Sequence, residues 1–166
     1  MTVVVVVLAP PADALSGLVE TTPLSETAAT DLYRAMARDT CRAVAESGGD
    51  LLVNYPGPED HPDGEALARE VLDGVPAEDP RLEVQVGSTF AARAGNAVTH
   101  LLDSEGVRSV AVVDGRAPLL ERTTVDTAAM KLRRADVVLG PDAGGDVYFA
   151  GFCEPVDFTD AYTPPA

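Results

Sequence analysis

Residues 2–11 read TVVVVVLAPP, an unbroken apolar and mostly β-branched run over Val3–Leu8 that Ala9-Pro10-Pro11 brings to an end. A strand with one wet face alternates apolar and polar residues. This one does not, so it is expected to be buried on both faces, as in a parallel sheet covered by helices. The run is far shorter than the ~20 residues of a membrane span, and no basic segment precedes it as in a secretory leader. A cytoplasmic protein is expected.

The rest of the chain repeats the theme of strand, then helix. Residues 11–24 read as irregular. Ser25 is placed to cap a helix running to about Glu46, with Leu32, Met36, Ala43 and Val44 as its buried face, and Ser47-Gly48-Gly49 stops it. Strands follow at Asp50–Asn54, Leu82–Val86, Val107–Val113, Val137–Leu139 and Val147–Gly151. Between them, a short helix spans about Glu65–Leu72. A second begins at Ser88, with a stripe of Phe90, Ala94, Ala97, Val98, Leu101 and Leu102. A third, opened by a capping box of Thr123 and Asp126, runs to about Arg134. The polar, proline-ended tail at 158–166 is expected to pack or fray. No linker or repeat divides the chain, so one α/β domain over 1–166 is expected: three layers, α/β/α, around a mostly parallel Rossmann-like sheet.

The chain carries 27 acidic residues against 12 lysines and arginines, a net charge of −15, and Lys131 is its one lysine. Such a surface repels phosphate backbones and anionic lipid, which argues against nucleic-acid and membrane partners. It suits a protein dissolved in concentrated salt, where screening removes the self-repulsion. Cys41 and Cys153 lack CxxC spacing and read as free thiols. His61 and His100 read as surface residues.

Ligands of open α/β sheets bind beyond the carboxyl ends of the strands. That selects Ala9–Asp13, Asn54-Tyr55, Gly87-Ser88, Asp114–Ala117 and Gly140–Asp146. No P-loop, GxGxxG or GxSxG stands at these places. Asp114, at the tip of VAVVDG, is positioned either to reach a divalent ion together with phosphate oxygens or to form a simple Asp-Gly turn. Asp142 and Asp146 either complete such a site, with Gly144 and Gly145 letting a ligand approach the backbone, or belong to an ordinary hairpin turn.

The segments VDGRAP (113–118) and DVVLGPDAGGDVYFAGF (136–152) resemble a glycosyltransferase-A-like family of unknown function. It is labelled transferase 1, associated with radical-SAM and selenodomain proteins, within the nucleotide-diphospho-sugar transferase superfamily. The resemblance covers roughly residues 82–152 and is that of a divergent member of haloarchaeal type. Aligned on Pro118, the family's metal-binding aspartate falls on Arg116, with Asp114 two residues earlier. Aligned on Gly140-Pro141, its Glu-Asp pair falls on Ala143 and Gly144, flanked by Asp142 and Asp146. The family's basic first loop corresponds to APPADALSGL (9–18), which has no lysine or arginine.

The resemblance implies a metal-dependent nucleotidyl- or glycosyltransferase acting on a nucleotide or nucleotide-sugar. Asp114 and Arg116 would be its catalytic residues, and Asp114, Asp142 and Asp146 would hold Mg²⁺ or Mn²⁺. Ala9, Pro10, Asn54, Gly87, Ser88, Gly144 and Gly145 would line the nucleotide pocket. The alternatives are a catalytically degenerate nucleotide-binding or regulatory domain on the same scaffold, and an α/β enzyme with unrelated chemistry in the same cleft.

Overall fold

A computed structural model of the chain describes residues 1–158, so the expectation for the tail beyond Phe158 lies outside the described residues. Among the described residues, six strands form one sheet in the order β3-β2-β1-β4-β6-β5. The strands are β1 (Thr2–Val7), β2 (Asp50–Tyr55), β3 (Arg81–Val84), β4 (Ser109–Asp114), β5 (Val137–Pro141) and β6 (Val147–Phe152). β1 pairs in parallel with both β2 and β4, and β2 with β3; β6 is antiparallel to its two neighbours, β4 and β5. Five strands therefore point one way and β6 alone is reversed, which matches the mostly parallel sheet expected from the sequence.

Alternate side chains of a strand leave on opposite faces. In β1 this sends Val4 and Val6 into one apolar layer, followed by Leu8, and Val3, Val5 and Val7 into another. The first layer is closed by α1 (Pro11–Ala14), α3 (Glu26–Ala45), α4 (Gly64–Val71) and α6 (Arg122–Lys131). The second is closed by α5 (Phe90–Thr99), which continues into a π-helical turn at His100–Ser104, and by Phe158. Each valine so buried contributes about 1.5–3 kcal/mol. No helix among the described residues is long and apolar enough to cross a membrane.

Four local expectations need correction. Residues 11–24 are not irregular: they form α1 and α2 (Ser16–Thr21), and Pro11 starts α1 with φ already set for a helix. Ser25 does cap α3, accepting from the Ala28 N–H at 3.2 Å. Ala43 and Val44 are buried as expected, but the rest of the buried face of α3 is Ala29, Tyr33, Ala37, Thr40 and Cys41, while Leu32 lies exposed. The alanines let the helix settle close to the sheet, and the large leucine and Met36 turn aside. α5 is capped by Thr89 and not Ser88, the Thr89 side chain accepting from Ala92 N–H at 3.1 Å. The capping box at α6 does not form. Thr123 Oγ1 donates to Glu121 Oε2 at 3.1 Å, and Asp126 Oδ1 instead accepts from the Gly48 N–H at 2.8 Å, because a charged acceptor reaches an unsatisfied donor just past the end of α3.

The layer under α5 is locked by an edge-to-face pair, Phe152 against Phe158, with ring centroids 5.1 Å apart. Phe152→Ala is expected to lower the unfolding free energy by about 3–5 kcal/mol in urea titrations. Leu119→Ala, at a side chain 91% exposed, should shift it by less than about 0.5 kcal/mol.

Candidate functional site

Chain connections from β1 leave toward β2 on one side, while β4 returns on the other. The two crossovers therefore part at the carboxyl ends of β1 and β4, which is where the connection rule puts the ligand crevice of an open α/β sheet. Val7, near the end of β1, pairs with Asn54 on one neighbour and Asp114 on the other. The register thus sets a buried amide and a buried carboxylate level with each other, one strand apart on either side of β1.

Asp114 is 5% exposed, and its carboxylate is held by the residue two positions on. Oδ1 accepts from the Arg116 backbone N–H at 2.7 Å and from Arg116 Nε at 2.9 Å, while Oδ2 accepts from a terminal guanidinium nitrogen at 3.1 Å. This two-oxygen grip is the strong form of the ion pair. The carboxylate raises the Arg116 pKa above its ordinary value, outweighing the opposite effect of partial burial. Gly115 makes the loop possible. A Cβ there would stand 3.1 Å from the Tyr33 hydroxyl and 3.2 Å from Leu8 Cδ2.

Helix α3 braces the same loop and the one after β1. Thr40 Oγ1 donates to Gly115 O at 3.3 Å. The Tyr33 hydroxyl accepts the Ala9 N–H at 2.7 Å, and burial pushes that phenol's pKa well above its usual value. Ala9 and Pro10 are partly buried beside it.

Across β1, two buried amides meet. Gln85 Nε2 donates to Leu8 O at 2.5 Å and to Asn54 O at 2.7 Å, stapling the ends of β1 and β2 together. Asn54 Nδ2 donates to Glu83 O at 3.3 Å. These bonds fix which end of each amide is nitrogen. Both remaining atoms, Asn54 Oδ1 and Gln85 Oε1, are buried acceptors without a hydrogen-bond partner. Each such acceptor costs about 1–3 kcal/mol unless a donor from outside the chain, a water or a ligand, reaches it. Gly87 then turns the chain at φ +127°, where a Cβ would also collide with Ala92. Arg93 Nε holds that turn through Gly87 O at 2.9 Å, and Ser88 is exposed beside it.

β5 and β4 run the same way, so the turn at 142–146 lies at the same end of the sheet as Asp114: Asp142 follows the outermost strand β5, with β6 between it and β4, while Asp146 immediately precedes β6, the direct neighbour of β4. Asp142 Oδ1 accepts from Gly144 N–H at 2.7 Å and Asp146 N–H at 3.0 Å, which builds the turn itself. Gly144, Gly145 and Asp146 are exposed there. Asn54 and Asp114 flank Val7 at the end of β1, Ala9 and Pro10 follow that strand, and Arg116 sits on Asp114, while Gly87 and Ser88 lie in the turn between β3 and α5 and Asp142, Gly144, Gly145 and Asp146 in the exposed β5–β6 turn.

As a donor set for a divalent ion these carboxylates do not fit as they stand. Asp114 has both oxygens committed to Arg116, and Asp142 has one committed to its turn. Among the described residues no three His, Cys, Asp or Glu side chains gather to hold a metal. His100 is exposed, with Nε2 3.2 Å from Glu105 Oε1, as a surface histidine would be. Sequence reasoning missed Gln85 and Tyr33. Gln85 was hidden because the strand reading ran on to Val86; the strand ends at Val84, and the Gln85 amide turns in to bond Leu8 O and Asn54 O.

This architecture is the nucleotide-diphospho-sugar transferase fold. A nucleotide-diphospho-sugar transferase, provisionally so described, from Desulfovibrio desulfuricans G20 superposes with a TM-score of 0.73 at 22% identity, over 98% of this chain and 65% of that one. A cytidylyltransferase from Leptospira borgpetersenii serovar Hardjo-bovis matches with a TM-score of 0.55 at 10% identity, over 92% of this chain and 60% of its own. A CMP:2-keto-3-deoxy-manno-octonic acid synthetase complexed with CTP gives 0.50 at 12% identity, over 93% and 65%. The chain thus spans 60–65% of the length of these structures. No protein-family model matches it, and no curated protein matches it by sequence.

Removing Arg116 would strand a buried carboxylate. Arg116→Ala is expected to lower the unfolding free energy by about 2–3 kcal/mol, below the figure for a fully buried pair because the Arg116 side chain is 25% exposed. A change of less than about 0.5 kcal/mol in urea unfolding would show that the pair does not hold the crevice together.

Proposed function

We propose that the chain binds a nucleotide or nucleotide-sugar in the crevice at the end of β1 and acts as a nucleotidyl- or glycosyltransferase-like protein. The observation that carries this reading is the pair of unpartnered buried acceptors, Asn54 Oδ1 and Gln85 Oε1, beside the switch point of the sheet. A nucleobase edge offers N–H donors of the matching kind, and the fold is shared with a cytidylyltransferase and with a synthetase complexed with CTP. Asp114 and Arg116 set the charge of the crevice. On a chain of net charge −15, their pairing makes that spot neutral and keeps it from repelling a diphosphate. In a transfer reaction Arg116 would stand beside the charge that builds on the departing phosphate, with Asp114 fixing its orientation.

The degenerate-domain reading has its own support, which is the same ion pair seen from the other side. A carboxylate committed to Arg116 through both oxygens is not presented to a divalent ion. Binding and turnover therefore separate the two readings.

Thermal melts in concentrated salt, against a panel of nucleotides and nucleotide-sugars with Mn²⁺ or with EDTA, test the reading. A ligand at a hundred times its Kd stabilises by about 2.7 kcal/mol, and for a chain of this size that raises Tm by about 5–10 °C. Gln85→Leu should erase preference among bases, and should also cost about 1–3 kcal/mol of stability through the Leu8 and Asn54 carbonyls that lose its amide. Release of pyrophosphate or of a nucleotide in the Mn²⁺ arm marks a transferase, and a melting shift without turnover marks a binding domain. No shift across the whole panel would sink the proposal.

A further inference from the structure

Strand β5 is the outer strand on its side of the sheet. In its antiparallel ladder with β6, Cys153 N–H donates to Asp136 O at 2.9 Å, and the register advances from Val137↔Phe152. Backbone groups alternate along a strand, so Val138 and Gly140 turn theirs toward β6 while Val137 and Leu139 aim theirs at the open edge. The side chains of those two residues are 43% and 55% exposed. No charged residue interrupts Val137–Pro141. The opposite edge is guarded differently: β3 carries Arg81 and Glu83, tied to each other and to Glu105 by ion pairs. Natural proteins blunt free edges with charge of that kind, and β5 lacks it.

The flanks of β5 supply the missing complementarity. Arg133 and Arg134 precede it, Asp142 and Asp146 follow it, and all four are exposed. A two-fold axis reverses one copy against the other, so the basic start of one strand meets the acidic end of its mate. We propose that β5 is a homodimer interface: two copies pair antiparallel through this strand and join their sheets into one of twelve strands. The register places the two-fold axis at Val138. Val137 N–H then donates to Leu139 O of the second copy, and Leu139 N–H to its Val137 O, with the same two bonds repeated by symmetry. Arg134 faces Asp142 of the second copy, whose Oδ1 is committed within its own turn and whose Oδ2 is left to receive the guanidinium. Centring the axis on Leu139 instead would set Asp136 against Asp142, a like-charge clash that disfavours that register. Because each copy carries −15, association tightens as salt screens the long-range repulsion.

Sedimentation across a wide range of protein concentration, in dilute and in concentrated salt, reads the mass. The expected result is a monomer–dimer equilibrium that shifts toward dimer with salt. Leu139→Lys and Arg134→Asp should each give a monomer with an unchanged far-UV spectrum, since both side chains are exposed. The register has its own test in a Cys41→Ala/Cys153→Ser background. Val138→Cys, opposite itself across the axis, should form an intermolecular disulfide on mild oxidation, and Val137→Cys, opposite Leu139, should not. A wild type that sediments as a monomer throughout, a dimer that survives Leu139→Lys, or equal cross-linking at both positions would each overturn the proposal.

Discussion

Strand β1 has no free surface. Both of its edges are hydrogen-bonded, to β2 and to β4, and both of its faces are covered by helices. A segment in that position must be apolar on every side, which is why the sequence spells valine five times in a row. It also sets the direction of the rest of the chain. The connection after β1 carries the chain to β2 on one side, and the crossover from β3 brings β4 to the other, so the two crossovers part at the end of β1. The crevice, the level placement of Asn54 and Asp114 around Val7, and the bracing of Ala9 by Tyr33 all follow from that central strand.

The acids divide by what they touch. Most of the excess negative charge is spread over the surface, where salt screens it. Those that bind a partner do so structurally: Asp114 grips Arg116, Asp142 builds the β5–β6 turn, Asp126 catches the Gly48 N–H, and Glu105 receives Arg81. The last pairing holds the Glu105 carboxyl below its ordinary pKa, through its hydrogen bond with Arg81. With so few cations in the chain, placing one of them inside the crevice beside a buried carboxylate is a specific choice. It pairs the buried carboxylate and leaves that spot without net charge.

Periodicity carried the architecture. The apolar runs of β1 and β4 and the stripe of α5 are dictated by burial on known faces, and the structure places them where the pattern does. Burial patterns gave less guidance where small residues decide. In α3 the alanines at 29 and 37 define the face that meets the sheet, and the larger Leu32 and Met36 misdirect a reading that weighs hydrophobicity alone; Tyr33 was lost for that reason. Side-chain pairing beyond the local turn was not legible either. Asp126 looks like a capping residue until the end of α3 is known to lie beside it. Gln85 looks like the last outward residue of a strand until the strand is seen to stop at Val84. Strand-tip positions around Asn54, Gly87 and Asp114 were legible from the connection rule of the fold, while the placing of Asp142 and Asp146 relative to Asp114 depends on β6 inserting between β4 and β5, which no local pattern reveals.

The central claim, that a nucleotide enters the crevice at the end of β1, is tested most directly by following backbone and side-chain amide resonances while a nucleotide is titrated into the isotope-labelled protein. The account predicts that Ala9, Gly87, Gly115 and Arg116 and the side-chain amides of Asn54 and Gln85 shift together and saturate at one ligand per chain, with the β5 strand unmoved. Shifts confined to another surface, or none at saturating nucleotide, would contradict it.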